Sequence, residues 1–281
     1  MKTDKTSLEI LAGMIYDYCG IDYRKDPLSL QSKIASKLKE TGLSPWEYCG
    51  YLRMEPKEWD RLIELITVNE TYFFREENLL NEFQKAILPR YAYRTPENPL
   101  RIWSAACSTG EEPYTIMMLI EESALFGAEA VKIIASDINK RVLDKARSGI
   151  YKKNSLSFRR MPVGAYDKFF IDLEEDYKVK DSIRERIDFR YINLLDRNLI
   201  NKIEKVDIIF CRNVLIYFDI NAIKKIINAF YDILNHGGYL FLGHAETITG
   251  LHAGFETILT SSAYYYRKGG KHHAEVRSTC G

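Results

Sequence analysis

The stretch LRIWSAACSTGEEPYTI, residues 100–116, decides the reading of this chain. Leu100–Ala106 is a short apolar run that follows Pro96 and Pro99 and ends in small and polar residues. A run of that length, bounded by turn formers, reads as a buried strand. Ser108, Thr109 and Gly110 then turn the chain, and helical spacing begins at once over Glu112–Phe126. A strand that enters a helix through a glycine turn predicts the first unit of a parallel α/β sheet.

The same rhythm recurs outward from that unit. Val131–Ser136 reads as a second strand and Asn139–Arg147 as its helix. Val206–Cys211 is another strand, followed by a helix over Asn221–Leu234 and a strand at Gly238–Leu242. The run FETILTSSAYYYRK holds two strand-like pieces around Ser261 and Ser262, which fits a hairpin at the sheet edge. Alternating strands and helices predict right-handed crossovers and a Rossmann-like α/β sheet covered by helices on both faces. Tyr151–Phe189 interrupts the rhythm. Tyr177–Lys180 and Arg186–Tyr191 alternate polar and apolar residues, which predicts a small antiparallel insertion beside the main sheet. Ile187–Tyr191 also reads as a strand leading to Asn193.

Residues 8–66 carry helical periodicity instead. Leu8, Leu11, Ile15 and Tyr18 share one stripe, and Leu30, Ile34 and Leu38 a second. Ser44-Pro45-Trp46-Glu47 reads as a helix start, and Trp59, Leu62, Ile63 and Ile66 form a later apolar face. The predicted organisation is therefore an all-α domain over 1–66 and a linker with a connecting helix over 67–99. The α/β domain follows over 100–268, with an insertion at about 152–190, and a tail at 269–281. Arg24, Lys25, Lys33, Lys37 and Lys39 face one acid, Asp26, in the second helical region. This is either a solvated helix face or a docking surface for an acidic partner helix.

Composition narrows the function classes. The 281 residues allow one to two domains, and 46% hydrophobic with 28% charged residues is ordinary for a globular chain. Lys+Arg total 40 against 39 for Asp+Glu, so no overall basic excess points to nucleic acid. No apolar run reaches the roughly 18 residues of a membrane span, and MKTDKTSLEI lacks the apolar stretch of a signal peptide. Cytoplasmic placement without membrane insertion is expected. Cys19, Cys49, Cys107, Cys211 and Cys280 fit no zinc spacing and read as reduced thiols. His272, His273 and Cys280 read as part of a loose terminus rather than a metal site, so no metal is expected.

In an open α/β sheet, ligands bind beyond the carboxyl ends of the strands. At the first strand end, Glu111 and Glu112 stand where a dinucleotide fold would present phosphate-binding glycines. Negative charge there suits a cationic or hydroxyl-bearing ligand such as S-adenosylmethionine, although both acids would also favour a helix N-terminus. Asp137, at the second strand end, is placed either to bond ribose hydroxyls or to cap the next helix. Asn193 and Leu194 offer a side chain and backbone for a base edge, or only a turn. Arg212 and Asn213 end the strand Val206–Cys211, and Tyr217 behind them is either a wall of a substrate slot or a packing residue. Between the domains, Thr67–Glu76 interleaves polar residues with Tyr72, Phe73 and Phe74, as a loop folding back over a ligand would.

Taken together, NETYFFRE (69–76), WSAACSTGEEPYTI (103–116), ASDINKRVLDKARSGIY (135–151), NLLD (193–196) and IFCRNVLIYFD (209–219) resemble the chemotaxis receptor methyltransferases of the CheR type. The resemblance covers about residues 8–268. It implies an S-adenosylmethionine-dependent protein-glutamate O-methyltransferase with a small antiparallel β-subdomain and an N-terminal helical domain. It further implies S-adenosyl-L-homocysteine as product, and glutamate γ-carboxylates on the cytoplasmic helices of methyl-accepting chemotaxis receptors as substrate. By motif position, Asn69, Thr71, Arg75, Glu112, Asp137, Asn193, Leu194, Arg212 and Asn213 are the implied cofactor contacts. Arg75 and Tyr217 are implied nearest the methyl-transfer centre. Separately from the resemblance, a monomer is expected. Some family members bind a receptor's C-terminal pentapeptide through a glycine-containing loop. Here the corresponding stretch, Ile171–Asp176, is short and acidic and has no glycine, so independence of such a tether is expected. A non-catalytic receptor-binding adaptor and a methyltransferase for another substrate are the competing readings.

Overall fold

The computed structural model describes residues 2–127 and 129–269, with side chains from residue 6 onward. The tail residues His272, His273 and Cys280 lie outside that range. Four helices come first: α1 (Lys2–Cys19), α2 (Pro27–Thr41), α3 (Pro45–Met54) and α4 (Pro56–Ile66). Their starts follow from local chemistry. The Asp26 carboxylate accepts from the Ser29 amide, with Pro27 pre-set for the first turn. Ser44 and Glu47 close a reciprocal capping box on α3. The stripes of Leu8, Leu11, Ile15, Leu30, Ile34, Leu62, Ile63 and Ile66 meet in one core, and Tyr18 stacks on Trp59 at 4.1 Å.

The basic region of α2 is less open than its sequence suggests. Lys37 is buried, and its ammonium lies 3.3 Å from the Glu58 carboxylate and 3.6 Å from Glu40. Glu58, also buried, takes the Tyr48 hydroxyl at 3.0 Å. A buried carboxylate needs such partners, so Lys37 belongs to the helical core and not to a docking face. Arg24 is likewise engaged, bridging Asp22 and Asp219.

A short helix α5 (Glu77–Glu82) runs through a π-helical turn and a 3-10 turn into β1 (Leu100–Ala105). There follow α6 (Glu111–Ser123), β2 (Val131–Asp137), α7 (Lys140–Ser148), β3 (Ile150–Lys152), α8 (Ala165–Phe169), β4 (Phe170–Leu173) and β5 (Asp176–Val179). The chain continues through α9 (Asp181–Arg184), β6 (Ile187–Tyr191), α10 (Arg197–Ile200), β7 (Val206–Cys211), α11 (Ile220–Ile233), β8 (Leu234–Leu242), β9 (Phe255–Leu259) and β10 (Tyr264–Lys268). The main sheet has the order β6-β2-β1-β7-β8-β10-β9. Its first five strands are parallel, and the β9–β10 hairpin adds antiparallel strands at one edge, as the sequence predicts. Leu100 and Ile102 of β1 enter one core and Trp103 and Ala105 the other, so both faces of the sheet are covered. The buried Trp103 indole donates to the Ser136 hydroxyl at 2.9 Å.

The insertion is a three-stranded antiparallel sheet of order β3-β5-β4, with Glu174 and Glu175 alone forming the turn between β4 and β5. Arg186–Tyr191 does not belong to it. Residues 187–191 form β6, parallel to β2, with Asp137 opposite Tyr191. An edge strand keeps one side half-exposed, and that produces the same two-residue alternation as an antiparallel ribbon. Strand order reverses around β1, with β2 on one side and β7 on the other, which fixes where a ligand crevice opens.

Candidate functional site

A cavity enclosing about 1000 Å³ of space, part of it open to solvent, lies over the carboxyl ends of β1, β2, β6 and β7. All ten residues singled out in the sequence line it: Asn69, Thr71, Arg75, Glu112, Asp137, Asn193, Leu194, Arg212, Asn213 and Tyr217. The roof is the strap of residues 67–71 with Arg75, and the far wall comes from the end of α1 and the segment just after it, Cys19 and Ile21. Backbone shape is part of the site. Phe74, Glu76, Ala106, Ser108 and Asn213 all hold positive φ, although none is glycine. Such strain persists where surrounding structure over-determines it, and it clusters at binding sites. Gly110 caps α6 with φ 95°, and a Cβ there would stand 2.8 Å from that of Ala146 in α7.

Asp137 ends β2. Its two carboxylate oxygens accept from the Ser108 and Asn139 amides, each at 2.9 Å. The cap of α7 is Asn139, whose side chain takes the Arg141 and Val142 amides, so Asp137 is not the helix cap. Burial pushes the Asp137 carboxyl above its ordinary range, against the amides that favour its charge. Ser108 donates its hydroxyl to the Asn69 carbonyl at 3.0 Å, which fastens the strap to the end of β1.

The two adjacent glutamates part company. Glu112 lines the cavity, taking the Ser104 hydroxyl at 2.7 Å and the Arg212 guanidinium at 3.2 Å. Glu111 turns away, accepting from the Thr109 and Ser157 hydroxyls, and contributes nothing to the cavity wall. Arg212 is a buried hub. It pairs with Glu76 at 3.2 Å as well as with Glu112, and donates to the Arg75 carbonyl. Glu76 also takes Asn213 Nδ2 at 3.1 Å and His244 Nδ1 at 2.9 Å. Desolvation pushes both carboxyls up. At Glu112 it prevails, whereas at Glu76 the Arg212 field and the His244 and Asn213 bonds outweigh it and the carboxyl falls below its ordinary value. A depressed carboxyl contributes stability that is present above its unfolded pKa of about 4.3 and lost as pH falls through the folded value. Glu112 carries the opposite sign.

Two predicted residues are committed elsewhere in part. Asn193 donates Nδ2 to the Tyr18 carbonyl at 2.6 Å and accepts from the Leu195 amide, tying the end of β6 to α1. Asn213 leaves its Oδ1 buried without a partner. Tyr217 is half-buried on the wall, and burial raises its phenol.

Three features escaped the sequence reading. Glu76 had a visible signal, an acid beside Arg75 in the strap. Glu246, buried, accepts the amides of Asn213, Val214, Leu215 and Gly243 at 2.6–2.7 Å, and so templates the loop that presents Tyr217. Its only signal was a polar run after β8. Cys19 and Ile21 carried none, because only tertiary packing brings α1 over the sheet.

The cavity's own charges are Glu70, Glu112 and Asp137 against Arg75 and Arg212, three acids and two cations. An acid at the end of β2, Glu112 at the start of α6 and a buried acceptor without a partner at Asn213 fit a ligand bearing hydroxyls, an amino group and a positive charge. Fold and cavity together define an S-adenosylmethionine-dependent methyltransferase. A family model described as CheR methyltransferase, SAM binding domain, matches residues 69–264. Chemotaxis protein methyltransferase 2 of Vibrio cholerae is 37% identical over 230 residues, 80% of this chain and 79% of that one. The chemotaxis protein methyltransferase of Borreliella burgdorferi is 36% identical over 256 residues, 88% and 89% of the two chains. Chemotaxis protein methyltransferase Cher2 of Pseudomonas putida is 31% identical over 276 residues, 95% of this chain and 99% of that one. The chain belongs to the CheR methyltransferase family.

Proposed function

We propose that this protein transfers the methyl group of S-adenosylmethionine to γ-carboxylates of glutamates on the cytoplasmic helices of methyl-accepting chemotaxis receptors, leaving glutamate methyl esters. The observation that carries this reading is a cavity whose wall sets a cation, Arg75, beside Tyr217, where an anionic acceptor can be positioned. No histidine among the described residues lines it. Cys19 and Cys107 line it, but burial pushes the Cys19 thiol up to about 12 and holds the Cys107 thiol well above its ordinary value. A glutamate carboxylate, with an ordinary pKa of about 4.3, needs no base at neutral pH.

Asp137, Glu112, Asn213 and the strap residues Asn69 and Thr71 are the groups that would hold the donor. When bound, it supplies an activated methyl group on a sulfonium. Arg75 is left to hold one oxygen of the incoming carboxylate while the other stays free to attack. Alignment of that kind is worth up to about 7–11 kcal/mol in favourable cases. Tyr217→Phe is expected to lower turnover roughly 10–100-fold while leaving affinity for S-adenosylhomocysteine within about twofold, since small misplacements of the acceptor cost that much. Equal losses in both quantities would place the hydroxyl on the cofactor side.

Incubation with S-adenosyl-[methyl-³H]methionine and receptor-containing membranes tests the reading. Base-labile label on the receptor supports it. No label favours an adaptor, and base-stable label favours another acceptor. No helix among the described residues is long and apolar enough to cross a membrane. Action in the cytoplasm as a monomer is the simplest working form for a receptor-modifying enzyme.

The acidic two-residue turn at Glu174 and Glu175 supports independence of a C-terminal receptor pentapeptide, because it leaves no loop between β4 and β5 to seat one. Titration of the protein with that peptide is expected to show no saturable binding, and micromolar affinity would overturn this part of the proposal.

A further inference from the structure

The strap over the cavity is held from outside by the antiparallel insertion, and one side chain of that region has an electrostatic position that the fold alone does not require. Arg159 follows the short 3-10 turn Leu156–Phe158. Its Nη2 lies 2.6 Å from the Glu70 carboxylate, and its guanidinium carbon lies 3.8 Å from the centroid of the Tyr72 ring. Arg75 approaches the same ring at 5.5 Å and donates Nη1 to the Glu70 carbonyl at 3.0 Å. Two arginines and one glutamate are thus gathered around a single tyrosine at the mouth of the cavity.

Their placement has a consequence for the acceptor. Glu70 lines the cavity together with Arg75 and Tyr217, and its side chain is 61% exposed. Its field, like that of Arg75, reaches the Tyr217 phenol. A bare carboxylate there would repel an anionic acceptor on its way to Arg75. The backbone already secures the strap without Arg159: the Phe73 amide donates to the Ser157 carbonyl at 2.9 Å, and Phe73 stacks on Phe158 at 5.4 Å. The Arg159 charge is therefore free for a second role.

We propose that Arg159 is a positioning residue for the methyl acceptor, masking the Glu70 carboxylate at the cavity mouth so that an anionic side chain can reach Arg75. This rests on the glutamate-acceptor reading above. An acid and its mask at the entrance also give the site a way to rank acceptors by the charge of their flanking residues.

Steady-state methylation of receptor-containing membranes tests the idea with three variants. Arg159→Gln should raise KM for the acceptor about fivefold at low ionic strength, with the gap narrowing in high salt and affinity for S-adenosylhomocysteine unchanged. Glu70→Gln alone should lower KM below the wild-type value, because Arg159 is then unpaired. The double variant Arg159→Gln with Glu70→Gln should return KM to within about twofold of wild type, the signature of a removed repulsion. A double variant as impaired as Arg159→Gln would make Arg159 a mere staple and overturn the proposal, as would an unchanged KM in the single variant. If wild-type protein itself labels no receptor, the glutamate-acceptor reading falls and the role of Arg159 with it. Wild-type labelling with an indifferent Arg159→Gln variant removes the role of Arg159 alone.

Discussion

Asp137→Asn is expected to weaken binding of S-adenosylhomocysteine roughly 10–100-fold by calorimetry, with the melting temperature moving by no more than about 3 °C. The first figure is the loss of hydrogen bonds to a charged acceptor, about 1.5–3 kcal/mol in all. The small stability change reflects two opposed terms, and at a few degrees per kcal/mol they must nearly cancel. Asparagine serves only one of the Ser108 and Asn139 amides that the carboxylate serves now. Against that, it removes a charge whose burial pushes the carboxyl up. A raised folded pKa means that the folded state takes up a proton before the unfolded one does, so the ionised form at neutral pH costs stability and acid relieves the cost. Ligand binding should run the other way. Hydroxyl donors need the ionised acceptor, so wild-type affinity should fall as pH drops through the Asp137 value, and the asparagine variant should be flat there. Unchanged affinity would remove Asp137 from the site. A collapse of the melting temperature would make it a structural residue instead.

Arg212→Met carries the other large effect. Arg212 lies between Glu76 and Glu112, and its removal leaves two largely covered carboxylates without a cation between them. Breaking a buried pair from one side costs about 3–5 kcal/mol. For a chain of this size, that is a melting temperature lower by roughly 6–20 °C. Adding Glu76→Gln and Glu112→Gln to the same chain should recover much of it, since the penalty belongs to the stranded charges. The loss should also shrink in acid. Both carboxyls would titrate above their ordinary range in the variant, and protonation of the folded state would then restore stability. Thermal scans of the variant across pH check the sign, and a melting temperature equal to wild type would show that the hub does not hold the strap to the sheet.

Local signals made much of the fold readable. Strand β1, the glycine turn and α6 follow one another within residues 100–123, and each announces itself by burial pattern or turn chemistry. Asp137 and Glu112 were legible for the same reason, because strand ends are ligand edges in this architecture. What escaped was long-range. Lys37 looks like a surface cation until Glu58, on another helix, is packed beneath it. Glu246 lies 33 residues from the Asn213 amide it holds. Glu111 and Glu112 are alike in local chemistry; motif position alone singles out Glu112, and the helix rotation turns it to the cavity and Glu111 to Ser157. The edge strand β6 imitated an antiparallel ribbon because half-exposure, not partner direction, sets the alternation.

Cys19, Ile21 and Ile66 belong to the wall of the cavity, yet they precede the stretch 69–264 that the model of the SAM binding domain matches. Asn193 grips the Tyr18 carbonyl, and a Cβ on Gly20 would collide with Leu195 at 2.7 Å, so the two halves are fitted to each other at close range. The helical region is thus no detachable accessory. A gene fusion that transplanted the sheet alone would inherit a vessel with one side missing, and recombination among relatives should keep both halves together or repair the seam.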